Sequence, residues 1–340
     1  MIQDSFSYAE PSTTTADDSP SHPRDQLVND YIHFTRRIAL TQMGIWLLFF
    51  LEILLFFLFF TFFMRASILA LNLALIFSTA FGYLLFRLHT THQKPEKIEE
   101  LIETFIGQCL DLFGIDPSRP ENRVRLAENF AKAAIQFEGK ERRYYRPPRL
   151  FSFLGPSLKR LSLYWHWYDI HKVKEGLLFA QIKEMTDLIK EEPTNLFFHT
   201  QTANAYVMLA GLYHNPRRVA EGESFLPSAE MGRLLEEKFA SASNRAVEEF
   251  KILSEFAPND PWVHEQLALS YHDLELIEKE IEQYQILLKL KPRDRDVLFH
   301  LGTLYFSRGE NAKGLAIYKS LKSIDRLKAQ ELISYYGCDL

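Results

Sequence analysis

Residues 38–64 read IALTQMGIWLLFFLEILLFFLFFTFFM, and residues 66–86 read ASILALNLALIFSTAFGYLLF. In the first run Glu52 is the only ionisable residue, and eight phenylalanines fall between Phe49 and Phe63. The second run carries no charge until Arg87. A helix needs about 20 apolar residues, at a rise of about 1.5 Å each, to cross a bilayer, and both runs reach that length. Met64, Arg65 and Ala66 leave almost no loop between them. The reading is therefore a transmembrane hairpin of two antiparallel helices, with spans at about 38–64 and 66–87.

The flanks set the expected orientation. Arg24, Arg36 and Arg37 precede the first span and Arg87, Lys94 and Lys97 follow the second, against Arg65 alone in the turn. Basic residues collect on the cytoplasmic side, so both termini are expected there. Glu52 stands out because an ionisable group at membrane depth is costly and signals function or a polar packing contact. With the turn at Arg65, Glu52 falls level with Ser78 and Thr79. A protonated Glu52 bonded to one of these hydroxyls would be packing; a small transporter or proton-linked subunit centred on Glu52 is the rival reading. A conduction path needs more than one such group, and only Asn72 accompanies it.

Outward from the hairpin, residues 1–30 are rich in Ser, Thr, Asp and Pro, with too little apolar surface to offset the entropy of ordering. They read as a disordered tail, without the basic start and short apolar core of a cleavable signal. Residues 31–93 hold the hairpin. Residues 94–160 read as a helical linker layer: Ile98, Leu101, Ile102, Phe105, Cys109 and Leu110 share one helical face after Pro95. Ser118 and Glu121, with Pro120 between them, form a capping box for a second helix. Arg142, Arg143, Arg146 and Arg149, interleaved with Tyr144, Tyr145, Phe151 and Phe153, suit contact with a membrane surface and make membrane lipid an expected partner. A net charge of −5 gives no basic field for nucleic acid. The only cysteines, Cys109 and Cys338, suggest no disulfide framework.

In residues 161–340 a period of 34 emerges. It links Pro258 to Pro292, Leu267 to Leu301, Ala268 to Gly302, Tyr271 to Tyr305 and Tyr284 to Tyr318. A fixed period with small and aromatic residues at set places marks a helix-turn-helix unit that is stable only when stacked on neighbours. On these residues the sequence resembles the tetratricopeptide repeat family. Glu280 departs from that pattern by standing at a small-residue position, and Arg326 by replacing the closing Pro. In the same phase, Ala203 and Tyr206, then Ala246, Phe250 and Leu253, read as a further unit with about thirty extra residues inside it. Trp165, Gly176, Met185, Leu188 and Pro193 read as a degenerate first unit, and Lys328 to Tyr336 as a capping helix ended by Gly337.

The resemblance implies binding on the face of the first helix of each unit. That face would present Phe197, Thr200, Asn204, Val207, Trp262, Glu265, Leu269, His272, Phe299, Thr303 and Phe306. These residues are mostly apolar and lack the Lys and Arg pair that clamps a terminal carboxylate in some members, so an amphipathic helix or extended apolar peptide fits, with Trp262 and Phe299 as anchors. No phosphate loop, nucleophile elbow or zinc signature appears, so no enzyme, metal or cofactor is expected. His166, Asp169 and His171 lie close together but match no metal spacing.

The expected fold is all-α, a two-helix transmembrane hairpin followed by TPR-like repeats, and the expected function is a membrane-anchored scaffold that binds a protein or peptide partner. The short polar tail, apolar hairpin and helical remainder are also similar to inclusion-membrane proteins of intracellular bacteria. The membrane is then a bacterial inner membrane, or a host membrane if the chain is a secreted effector.

Overall fold

The computed structural model describes residues 22–62, 66–113, 119–140, 155–214 and 229–337, and the regular structure among them is helical throughout. The described residues fall into two compact units, one within Met1–Pro117 and Ile135–Val173, the other within Ser118–Ala134 and Lys174–Leu340.

The first unit is built on two long helices, α1 (His22–Phe62) and α2 (Ala66–Phe113). Each changes character along its length. The first part of α1 buries Leu27, Val28, Tyr31, Thr35 and Ala39, a stripe at three- and four-residue steps that makes it amphipathic. Tyr31 meets the ring of Phe137 edge-on at 5.4 Å. The far part of α2 buries Phe105 and Cys109. Beyond these stretches the apolar residues turn outward: Leu47 is 74% exposed, Phe50 71% and Phe77 67%. Both helices are long and apolar enough to cross a membrane by length and composition.

A separate helix was expected to begin at Pro95, yet α2 runs through it without a break. Proline inside a helix removes one hydrogen bond and costs about 3 kcal/mol. Its fixed φ is itself helical, however, and the neighbouring Lys94 is tied to Asp169 Oδ2 at 2.6 Å. Burial of Phe105 and Cys109 on the same helix helps to offset the cost. Asp169 belongs to α4 (Gly155–Glu191). That helix also runs on where a degenerate helix-turn-helix was expected. A lone Gly176 costs only about 1 kcal/mol in a helix, and buried Ile170, Val173, Leu177, Leu178, Ile182, Met185 and Leu188 keep one stripe across it.

The second unit is a stack of helix pairs. Helix α3 (Pro120–Gln136) sets Ala127 and Val124 among Met185 and Leu188 of α4 and Phe198 of α5 (Leu196–His214). Arg123 on α3 bonds Glu184 at 3.0 Å and Glu191 at 2.7 Å on α4. Helix α6 (Ala229–Phe256) pairs with α5 and is followed by α7 (Pro261–Asp273) and α8 (Ile277–Leu290), then α9 (Arg295–Ser307) and α10 (Asn311–Ile324). Helix α11 (Arg326–Ile333) closes the stack by placing Ala329 and Leu332 against Leu298, Phe306 and Leu321. Adding 34 to the limits of α7 and α8 gives those of α9 and α10. Of the tyrosines that carry the period, Tyr271, Tyr284 and Tyr305 are 5%, 5% and 6% exposed, and Tyr318 is half-buried. Phe250, fully buried among Ala203, Val263 and Leu267, contributes about 1.5–3 kcal/mol by its burial.

Local chemistry repeats with the same step. Asp260 and Asp294 cap α7 and α9, each accepting a backbone N–H two residues on at 2.9 Å. At the turns, Gly309 has φ +71° where the preceding unit has Glu275 at φ +58°. A left-handed conformation suits glycine and strains glutamate. Glu275→Gly is expected to gain up to about 1 kcal/mol of stability and Gly309→Ala to lose about 1 kcal/mol, read as opposite shifts of the urea midpoint. A second recurring contact was not legible in the period: His199 Nε2 lies 2.9 Å from the Pro193 carbonyl, and His264 Nε2 lies 2.9 Å from that of Pro258. The opposite ring nitrogens meet Glu249 at 2.6 Å and Gln283 at 2.8 Å. Each of these imidazoles thus ties the turn before its helix to the partner helix of its own pair.

Candidate functional site: the exposed face of the repeat helices

The residues expected on the binding face lie on α5, α7 and α9, and the packing sorts them. Phe197 is 47% exposed, because its neighbour Phe198 takes the core position. Leu269 is 37% exposed, and Glu265 also faces solvent. Asn204 and Thr200 are half-buried; the Thr200 hydroxyl donates to the Leu196 carbonyl at 2.9 Å. Val207 packs against the core around Phe250. Trp262 is half-buried, its ring set edge-on to Phe250 at 5.8 Å, so it serves stability as well as surface. Phe299 is half-buried too, edge-on to Tyr335 at 6.2 Å, and its carbonyl accepts from Thr303 at 2.9 Å.

Phe306 does not share this face. It is 2% exposed and packs with Leu298, Leu321, Ala329 and Leu332. The reason is a pairing across each helix pair. In one unit His272 meets Glu280, Nδ1 to carboxylate 3.2 Å, and the His272 side chain stays 61% exposed. The residues 34 further on are Phe306 and Gly314. A side chain added at Gly314 would lie 2.5 Å from Phe306 Cε1, so the missing Cβ is the space the ring occupies. The unit before has Ala246 in the core around Phe250 and Val207 half-buried against it. Of the three, only the His–Glu pair leaves its first member exposed. The Glu280 hydrogen bond holds the His272 imidazole above its ordinary pKa.

One residue of the face was missed. Asp296 follows Trp262 by 34 and therefore shares its position; its side chain is 66% exposed and pairs with Lys328. The signal was in the repeat itself but was hidden by the change from aromatic to acid. The face thus carries Phe197, Leu269 and parts of Trp262 and Phe299 beside the acids Glu265 and Asp296.

In the first unit the Thr79 hydroxyl donates to Glu52 Oε1 at 2.8 Å, as the position of the turn implied. Ser78 is exposed, while Asn72 is buried. Arg142, Arg143, Arg146 and Arg149, read as membrane-surface contacts, lie outside the described residues, as does Arg65. His166 and His171 are buried, and Asp169 takes Lys94. No cluster of three His, Cys, Asp or Glu side chains among the described residues is placed to hold a metal ion. In the second unit Glu175, 4% exposed, accepts from Tyr213 at 2.7 Å and Lys238 at 2.6 Å, and this closes α4 against α5 and α6.

No family model matches the chain, and no curated protein matches it. Among solved structures the chain is similar to MamA of MSR-1, at 15% identity over 61% of this chain and 94% of that one, with a TM-score of 0.33. It is also similar to a thermophilic TPR protein in Thermus thermophilus, at 20% identity over 64% of this chain and 98% of that one, with a TM-score of 0.28. A third is YrrB, a TPR protein with an unusual peptide-binding site, at 14% identity over 61% and 99%, with a TM-score of 0.27. The helix pairs α7–α8 and α9–α10 make the chain a TPR-like helical-repeat protein on their own geometry.

Proposed function

We propose that the protein is a membrane-anchored scaffold: the hairpin of α1 and α2 spans a bilayer with both chain ends on the cytoplasmic side, and the repeat unit binds a protein or peptide partner. The observation that carries the anchor is the outward-facing apolar belt. A core hairpin of a soluble protein buries its apolar residues, whereas here Leu47, Phe50 and Leu54 on α1 and Phe77 and Phe81 on α2 are each mostly exposed. Exposed leucine and phenylalanine on this scale require a covering phase, and lipid supplies it. The amphipathic stretches of the same helices then stand in water, where their buried stripes form a core. Helical repeats expose a long face without an enclosed catalytic pocket, so the function supported is recognition. Anchoring confines that face to a surface and raises its effective concentration toward partners held there.

Glu52 fits this reading as interhelical glue. Its hydrogen bond to Thr79 joins the two spans inside the bilayer, a contact worth about 0.6–2 kcal/mol in such a setting.

Two measurements test the proposal on the full chain. After alkaline carbonate extraction of membranes the protein is expected in the pellet; release into the supernatant would end the anchor reading. Capture in mild detergent is expected to recover a specific protein that the double variant Phe197→Ala with Leu269→Ala loses. These two residues are chosen because they are exposed, while Trp262 also supports the core. Recovery unchanged by the double variant would reject the face as the binding surface.

A further inference from the structure

Six basic residues flank the two apolar runs, and the fold uses three of them internally. Arg24 is 6% exposed, Lys94 pairs with Asp169 at 2.6 Å and Lys97 with Glu100 at 2.5 Å. Arg36, Arg37 and Arg87 are exposed, and no ion pair among the described residues includes any of them. The nearest acids in sequence, Asp30 on α1 and Glu96 on α2, lie further from the hairpin turn than the arginines do, on the side away from the apolar belt.

The Thr79–Glu52 hydrogen bond fixes the register of the two helices. Counting at about 1.5 Å per residue, Arg87 stands about 12 Å from Thr79 along the axis, and Arg37 about 22 Å from Glu52. Arg87 is therefore about 10 Å nearer the turn, and the three arginines form two levels. Residues 66–86, between the turn and Arg87, span about 31 Å, close to the roughly 30 Å of a hydrocarbon core. Arg87 consequently sits where the core gives way to headgroups. Trp46 and Tyr83 support that placement: their rings lie 5.4 Å apart, about one helical turn on the core side of Arg87, and Trp and Tyr collect at this boundary. Between the two levels Leu40, Met43 and Leu88 remain 57%, 51% and 60% exposed, apolar surface at the level of the glycerol backbones.

We propose that Arg36, Arg37 and Arg87 bind the phosphates of anionic phospholipids, Arg87 at the base of the headgroup layer and Arg36 with Arg37 at its outer edge. A guanidinium presents paired donors to a phosphate and is weakly hydrated, which suits it to this boundary better than an ammonium. With no carboxylate partner among the described residues, the three side chains break no such ion pair to take a lipid. This inference rests on the membrane anchor proposed above. It adds that the anchor selects lipids by charge through these three residues and not through Arg24, Lys94 or Lys97.

The test uses the full chain in nanodiscs of equal phosphatidylglycerol and phosphatidylcholine, with the lipids that stay bound counted by native mass spectrometry. The wild-type chain is expected to retain phosphatidylglycerol in preference, and raised salt is expected to weaken that preference. Arg36→Gln, Arg37→Gln and Arg87→Gln together are expected to remove it, at about fivefold for each arginine. Changing the same three residues to Lys keeps most of the preference, and Lys97→Gln leaves it unchanged. Helical circular dichroism of each variant reports that the fold is kept. Equal retention of the two lipids by the wild type, or undiminished preference in the triple Gln variant, would overturn the proposal while a carbonate-resistant protein leaves the anchor standing. A protein released by carbonate would overturn both.

Discussion

Phe306→Ala is expected to destabilise the repeat unit by about 3–5 kcal/mol, the cost of emptying a closed aromatic site. The ring is 2% exposed and packs against Leu298, Leu321, Ala329 and Leu332. It also meets Tyr336 edge-on at 5.7 Å, and Gly314 leaves the space it enters. Gly314→Ala approaches the same contact from the other side and is expected to cost about 1–3 kcal/mol, because its new Cβ would press on the ring. The added methyl needs the space that a smaller residue at 306 gives up, so the two effects should not add. Gly314→Ala with Phe306→Leu should be less destabilising than the sum, with a coupling of about 1 kcal/mol or more. Urea unfolding of the four proteins measures this directly. Additive losses would show that the two residues do not share one site. A Phe306→Ala protein of wild-type stability that no longer captures its partner would return Phe306 to the binding face. Leu269→Ala, on that face, is expected to change stability by no more than about 0.5 kcal/mol.

Acidification from about pH 7 to about pH 4 is expected to weaken the unit that contains α1 and α2 by about 3 kcal/mol through His166. This imidazole is 3% exposed, and burial, aided by the Lys94 ammonium, pushes its pKa down from an ordinary 6.5 to about 3. With the folded value depressed, the neutral ring contributes fully above pH 6.5. As the pH falls below that value the unfolded chain takes a proton that the folded chain refuses, and about 1.4 kcal/mol is lost per pH unit until about pH 3. Asp169, beside Lys94, works the other way: burial holds its carboxyl above the ordinary range, so the folded chain gains some proton affinity there as acid is added. His166→Leu should remove most of the loss. The measurement is the urea midpoint of wild type and variant at the two pH values; the same fall in both would assign the acid sensitivity elsewhere.

The sequence alone was enough for the all-α class, the two long apolar helices and the step of 34. These rest on short-range physics. An uninterrupted apolar run has one helical outcome at that length, and a repeated pattern of small and aromatic residues has one pairing that buries it. The level of Glu52 with Thr79 was legible for the same reason, since a short turn leaves little freedom in the register of two antiparallel helices. What the tertiary structure decided lies where two helices compete for the same space. His272 and Phe306 occupy one position of the repeat, and nothing in either residue says that the first stays out and the second sinks. Glu280 and Gly314, on the facing helices, settle that. Pro95 and Gly176 read as breaks in one dimension, but packing along α2 and α4 outweighs a cost of a few kcal/mol. The flanking basic residues look alike in the sequence. Burial of Arg24 and the carboxylates beside Lys94 and Lys97 take three of them, while Arg36, Arg37 and Arg87 stay outside, with no ion pair among the described residues.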